Sequence, residues 1–273
     1  MEYFELNNGV KVPKLGFGTY QMPNSITEKN VTKALDLGYR NIDTAQNYGN
    51  EKEVGAAINK SSISRDQIFV TSKVQTSGYD DTKRGIDKSL HTAQLDYFDL
   101  MIIHWPTIHD EETYHALEAA YKAGKVRAIG LSNFNSQQTQ AIINQSDVIP
   151  AVNQIETHIY WQQKKMHTYL NEQHILHEAW APLGEGRTNM LQDPLLKNIA
   201  ANHQKSVAQT ILRFLTQEDI MVIPKSTNPE HIATNLDIFD FQLNANEINE
   251  IRNLDHKAST TYWPSSMQEE ANY

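Results

Sequence analysis

The chain has 273 residues, a formal charge of −9, no cysteine, and 39% hydrophobic residues spread along its whole length. The length is ample for a buried core and allows one large domain or two modest ones. An acidic balance with no basic block argues against gripping nucleic acid by bulk charge, and the missing cysteines exclude disulfide scaffolds, thiolate metal sites and cysteine nucleophiles.

The first sixteen residues, MEYFELNNGVKVPKLG, hold no basic stretch followed by an apolar run, so no signal peptide is expected. Within them, residues 4–12 read as two short strands around Asn8-Gly9, a hairpin that caps one end of the fold. Short apolar runs then recur at 15–18, 40–43, 68–73, 97–104, 126–131, 151–155, 175–180 and 220–223, separated by helical patterns such as Val31, Ala34, Leu35 and Leu37. Helix starts are marked at Asn24-Ser25-Ile26-Thr27-Glu28, at Ser136 and at Asn228-Pro229-Glu230, and Gly38 and Gly124 mark helix ends. After the eighth run come two more helical patterns, around 229–237 and 245–254, and a polar tail with Tyr262 and Trp263.

Eight alternating strand and helix units, with no linker or composition break, predict an α/β fold of the (β/α)8 TIM barrel type as one domain over residues 1–273. The competing doubly wound sheet is disfavoured because Gly16-Phe17-Gly18 supplies only part of a dinucleotide fingerprint and no helix opens directly after it. Those glycines read as a tight turn. No run reaches the roughly 18 apolar residues of a membrane span, and a cytoplasmic location is expected.

In such a barrel the chemistry lies at the C-terminal ends of the strands. There the second run ends in Asp43, the third in Lys73 and the fourth in His104, and Tyr48 follows Asp43 on its loop. Each alone has a plain structural reading: a helix cap, a solvated cation, a packed histidine, a surface aromatic. Together they converge on one pocket. An ammonium beside a phenol is expected to lower the tyrosine pKa from its reference of about 10, and a carboxylate beside the lysine keeps it charged. A tuned tyrosine is a general acid for an oxygen gaining negative charge, such as a carbonyl receiving hydride.

Asp43, Tyr48, Lys73 and His104 match the catalytic tetrad of the aldo-keto reductase family. The resemblance covers nearly the whole chain: residues 37–48, LGYRNIDTAQNY, look like the family's first signature, Gly130-Leu131-Ser132-Asn133-Phe134 resembles its GxSNF segment, and Ile223-Pro224-Lys225-Ser226 its IPKS segment. The chain is most similar to short prokaryotic members of the diketogluconate and glyoxal/methylglyoxal reductase type. The resemblance implies an oxidoreductase of EC 1.1.1 type with an extended nicotinamide cofactor, NADPH, with NADH as a weaker alternative. Carried over by position, Ser132, Asn133 and Gln154 hold the carboxamide and Trp180 stacks on the nicotinamide. Thr19, Pro182, Leu183 and Gly184 border the cofactor, Lys225, Ser226 and Thr227 take the 2′-phosphate, and Asn235 meets the adenine. His231 stands where the family usually carries arginine, and Thr234 where glutamate is common, which weakens the expected preference for NADPH. The segment Glu156-Thr157-His158-Ile159 lacks the usual proline, in a loop expected to border the site only loosely.

Tyr20, Trp105 and Trp263 are candidate walls of a substrate pocket, and the short stretch from Trp105 to Asp110 suits small aldehydes, dicarbonyls or keto-sugars. The alternatives are a Schiff-base lyase using Lys73 and a catalytically silent barrel serving as a binding subunit. No metal site is expected, and His167, His174 and His177 read as surface residues. The expected partner is a small-molecule carbonyl, with neither nucleic acid nor membrane, and the chain is expected as a monomer or weak oligomer.

Overall fold

The structure is a computed structural model, and residues 1–260 are described. Strands β1 (Tyr3–Glu5) and β2 (Lys11–Pro13) form the antiparallel hairpin. Gly9, at φ 82°, closes its turn, with Gly9 N–H donating to the Leu6 carbonyl at 2.8 Å and Leu6 N–H to Val10 at 2.9 Å. The turn is pinned beneath the barrel by Asn7 Nδ2 on the Pro150 carbonyl and Asn8 Nδ2 on that of Arg127, both at 2.9 Å.

Eight parallel strands follow: β3 (Phe17–Gly18), β4 (Asn41–Asp43), β5 (Phe69–Val74), β6 (Leu100–Ile103), β7 (Ile129–Ser132), β8 (Val152–Glu156), β9 (Leu176–Trp180) and β10 (Met221–Val222). They pair in chain order, and hydrogen bonds from Gly16 N–H to Val222 and from Gly18 N–H to Pro224 close the sheet on itself. This is the predicted barrel. All eight apolar runs hold a strand.

The helices are α1 (Asn24–Leu37), α2 (Glu51–Lys60), α3 (Tyr79–Ala93), α4 (Asp110–Lys122), α5 (Ser136–Gln145), α6 (Lys164–Glu172), α7 (Pro194–Asn202), α8 (Val207–Gln217), α9 (Pro229–Leu236) and α10 (Ala245–Arg252). Helices α9 and α10 are the two expected after the last strand; α7, in the β9–β10 connection, is an addition. α5 starts at Ser136 as expected, and the residue before it caps it: Asn135 and Gln138 form a reciprocal capping box. Asn24 does not cap α1, because its amide is drawn across to the Gly49 carbonyl at 2.9 Å and Pro23 takes the cap position. Gly38, at φ 116°, ends α1 as expected.

Side chains alternate along each strand. Ile42, Val70, Met101, Ile103, Ile129 and Leu131 point outward into the main core against the helices. Inward at the N-terminal end, Phe69, Leu100, Ile102, Ala128, Val152 and Met221 pack on Leu6 and Val12 of the hairpin, which therefore plugs that end. Gly16 and Gly18 are not a turn. They lie along the first barrel strand, where a Cβ on Gly16 would come within 2.8 Å of Asn41 Nδ2 and one on Gly18 within 2.8 Å of the Ile223 carbonyl. Close strand approach explains them. Among the described residues no helix is long and apolar enough to cross a membrane.

Candidate active site

The inward phase of β4 and β5 that buries Asn41 and Phe69 lower down delivers Asp43 and Lys73 at the open end. Both are essentially inaccessible. Lys73 Nζ donates to Asp43 Oδ1 at 2.5 Å and Oδ2 at 2.7 Å, to the Thr44 carbonyl at 3.1 Å and to the Tyr48 hydroxyl at 3.2 Å. Gln154 Nε2, from β8, adds a bond to Asp43 Oδ2 at 3.1 Å.

Tyr48 ends a single 3₁₀ turn, Gln46–Tyr48, that follows β4. Two side chains brace this turn. Gln46 donates to Ser89 Oγ at 3.0 Å and accepts from Gln75 N–H at 2.8 Å. Asn50 accepts from Thr44 Oγ1 at 2.7 Å and donates to the Thr19 carbonyl at 3.0 Å. The phenol is thereby held beneath Tyr20, with ring centroids 5.0 Å apart, and beside His104 at 5.6 Å.

Charges in this group differ from the expectation at one point. Burial pushes the Tyr48 phenol up to about 12, against the opposing pull of Lys73, so the net shift is upward and the group keeps its proton near neutrality. The lysine tempers the phenol without making it acidic. Burial works against the charge on Lys73, but Asp43 and then Tyr48 outweigh it and hold the ammonium above its ordinary range. Burial, reinforced by Lys73, drives His104 down to about 3, so its ring is neutral, and its Nδ1 has no partner among the described residues. The site thus presents a neutral phenol, a neutral imidazole and one internally compensated ion pair.

Beside it lies a second polar group. Asn133 sits at φ 65°, a left-handed conformation that asparagine tolerates better than most residues. From there its Nδ2 donates to the His104 carbonyl at 2.9 Å and to Ser132 Oγ at 3.0 Å, while its Oδ1 accepts from Trp180 Nε1 at 2.8 Å. Ser132 Oγ donates to the Gln154 carbonyl at 2.8 Å. The residues expected to hold a carboxamide and an aromatic ring are therefore contiguous and continuous with the ion pair. Thr19 is fully buried, and both its N–H and its hydroxyl bond the Asp43 carbonyl. Pro182 and Gly184 are buried, Leu183 partly so, in the loop after β9.

The third group opens to solvent. Lys225 and Thr227 are exposed, and Ser226 Oγ accepts from Asn228 N–H at 3.1 Å where Asn228 caps α9. Lys225 makes no ion pair among the described residues, and its Cβ lies 3.5 Å from where a Cβ on Gly18 would stand. His231 is exposed and Asn235 buried on α9. Of the candidate walls, Tyr20 is 44% exposed over Tyr48, Trp105 is half-buried directly after His104, and Trp263 lies outside the described residues.

Two sequence expectations are corrected, and one buried residue was missed. His177 is fully buried, bonding Thr157 Oγ1 at 2.7 Å and His167 at 3.1 Å, because its strand phase points it outward under α6. The loop after β8 is not peripheral: Glu156, Thr157 and His158 are all buried. Glu156 accepts from Ser259 Oγ, Thr260 N–H and Thr260 Oγ1, each at 2.6 Å, which ties residues 259–260 to the barrel mouth. Finally Glu178, unmarked by the sequence reading, is fully buried in the inward phase of β9. An acidic residue two before Trp180, on the same face of the strand, was the available signal. Among the described residues no group of three or more His, Asp or Glu is placed to hold a metal ion.

The family model "Aldo/keto reductase family" matches residues 14–256. The chain is 42% identical over 266 residues to morphine 6-dehydrogenase of Pseudomonas putida, covering 92% of this chain and 90% of that one. It is 42% identical over 251 residues to glyoxal reductase of Bacillus subtilis, covering 90% of each. A crystal structure of an aldo/keto reductase from Brucella melitensis superposes with a TM-score of 0.89 at 43% identity, covering 93% of this chain and 99% of that one. Fold, site geometry and these likenesses agree, and the chain belongs to the aldo/keto reductase family.

Proposed function

We propose that the protein, as one barrel domain over residues 1–273, is an NADP(H)-dependent reductase of EC 1.1.1 type acting on small aldehydes, dicarbonyls or keto-sugars, with Tyr48 as the general acid. The observation that carries this reading is the contact of Lys73 Nζ with both Asp43 and the Tyr48 hydroxyl, next to a neutral His104. The names of the bacterial glyoxal reductase and morphine 6-dehydrogenase support carbonyl and alcohol chemistry.

The residues present suit a nicotinamide. The Asn133, Ser132 and Gln154 amides and hydroxyl offer donors and acceptors to a carboxamide, and half-buried Trp180 offers a ring face. Lys225, without an ion pair among the described residues, and the backbone N–H groups at the start of α9 suit a phosphate. When bound, a reduced nicotinamide supplies the hydride that a carbonyl carbon accepts. The chain supplies the rest. Tyr48 gives its proton to the carbonyl oxygen as negative charge develops there. Lys73 stabilises the phenolate left behind, Asp43 keeps Lys73 charged, and neutral His104 orients the oxygen. Tyr20 and Trp105 flank the opening and restrict approach.

Lys73 itself is a poor candidate for Schiff-base chemistry. It is inaccessible, its proton is retained, and its donors are committed to Asp43, Thr44 and Tyr48. We further infer a monomer or weak oligomer in the cytoplasm. The test of function is a panel of small dicarbonyls, aldehydes and keto-sugars, with NADPH and NADH run side by side and followed by nicotinamide absorbance. The expected result is carbonyl-dependent oxidation of NADPH, faster than that of NADH at equal subsaturating concentration. No oxidation of either cofactor across the panel overturns the reading.

A further inference from the structure

Between the ion pair and the apolar plug on the hairpin, the barrel interior buries polar side chains, Asn41, Thr71, Gln154 and Glu178, where most barrels pack aliphatic ones. Glu178 stands in the middle of β9, in register with Gln154 on one side and Met221 on the other. It shares its strand face with Trp180, while Ala179 joins the outer core and His177 meets α6, so the carboxyl group points inside the barrel. It is 0% exposed, neither of its oxygens makes a hydrogen bond of good geometry among the described residues, and the Gln154 amide stands near it as a donor. Two more buried oxygens are unpartnered nearby. One is Thr71 Oγ1, in register with Asp43; the other is Asn41 Oδ1, whose amide nitrogen reaches Met221 Sδ at 3.6 Å.

An unpaired carboxylate in such a place is costly, and a neutral carboxylic acid is far less so. The groups that face it confirm the direction. Asp43, from β4, repels a second negative charge. Lys73, from β5, attracts one but is already committed to Asp43. Gln154, from β8, turns its amide to Asp43 and to Glu178 and offsets the repulsion only in part, and Met221, from β10, carries no charge. Burial first and Asp43 second push Glu178 up to about 8.

We infer that Glu178 is a positioning residue of this site: as a neutral acid it leaves Asp43 as the sole carboxylate on Lys73, and its ionisation turns the site off. The inference rests on the reading of Tyr48 as proton donor. With its proton on, Glu178 leaves Lys73 balanced between Asp43 and the phenol. With its proton lost to solvent, a second carboxylate draws on the ammonium and opposes formation of the Tyr48 phenolate. Reduction then slows at alkaline pH, in a range where Tyr48 itself, at about 12, does not titrate.

The test compares wild type with Glu178→Gln, which keeps shape and polarity but cannot ionise. Carbonyl reduction is measured from about pH 6 to about pH 10. Wild-type kcat/KM should fall about tenfold per pH unit above a break near the Glu178 ionisation. The variant should match wild type on the acid plateau within about threefold and show no such break. The same alkaline limb in both proteins overturns the inference.

A second readout needs no turnover. A carboxyl whose pKa is higher folded than unfolded binds more protons in the folded state, so it costs stability as pH rises from the ordinary carboxylate range to about 8. Glu178→Gln should therefore gain melting temperature over wild type at pH 8 and little at pH 5. An equal difference at both values overturns the inference. If neither protein oxidises a reduced nicotinamide with any carbonyl, the proposed function fails while the stability comparison still decides Glu178. If the variant does not fold, infrared difference spectra of the wild type decide it. A protonated-carboxyl band persisting at pH 7 supports the inference, and its absence overturns it.

Discussion

Two aspartates are buried in this barrel, one at each end, and both are neutralised by basic side chains. Asp99, at the start of β6, accepts from Val70 N–H at 2.9 Å and is clamped by Arg65 at 2.8 Å and Arg127 at 2.7 Å, whose guanidinium groups reach toward solvent across Tyr97. Asp43, at the end of β4, is held by one ammonium that is itself wholly inside. At the first end the charge is shared with groups that water screens. At the second both charged side chains are buried, so the field of Lys73 acts with little screening on the Tyr48 hydroxyl beside it. The difference teaches that two buried ion pairs can differ in what they act on: one is spent on its own neutralisation, and the other keeps a phenol within reach of its cation.

Four substitutions sharpen or break that contrast. The largest effect belongs to Tyr48→Phe, which should lower kcat by about 10²–10⁴ while leaving the ion pair and cofactor affinity in place. Near wild-type turnover, with binding followed by nicotinamide fluorescence, would remove Tyr48 from its role. Next is Lys73→Met, which strands a buried carboxylate and should cost about 3–5 kcal/mol in denaturant unfolding together with the activity. A small stability loss there would show that water reaches Asp43. Arg127→Met should cost only about 1 kcal/mol, because Arg65 remains on Asp99 and the site is screened, and kcat should not change. A loss of activity in that variant would couple the two ends. The smallest effect is at the exposed rim: His231→Arg should tighten NADPH binding by on the order of 1 kcal/mol with little change for NADH. Equal fluorescence titrations of both proteins would dismiss His231 as a determinant.

Much of the molecule was legible beforehand, and the exceptions share a cause. The eight strands, the hairpin and the two helices after the last strand follow from apolar periodicity and turn residues, which are local. Asp43, Lys73 and His104 were visible because each closes an apolar run at the same end of a strand. Glu178 and His177 were harder because they lie inside such a run, where only the strand's phase tells which face they take. The start of α1 at Asn24 was legible, but the use of its amide was not, because that amide finds a partner 25 residues away.

The sequence by itself therefore determined the order of elements, the end of the barrel at which Asp43, Lys73 and His104 gather, and the residue types that meet there. Only the tertiary structure decided protonation. The expectation that Lys73 would acidify Tyr48 was reversed by burial, and the neutrality of His104 and Glu178 has the same origin. Desolvation depends on every strand that closes around a group, and no local pattern records it.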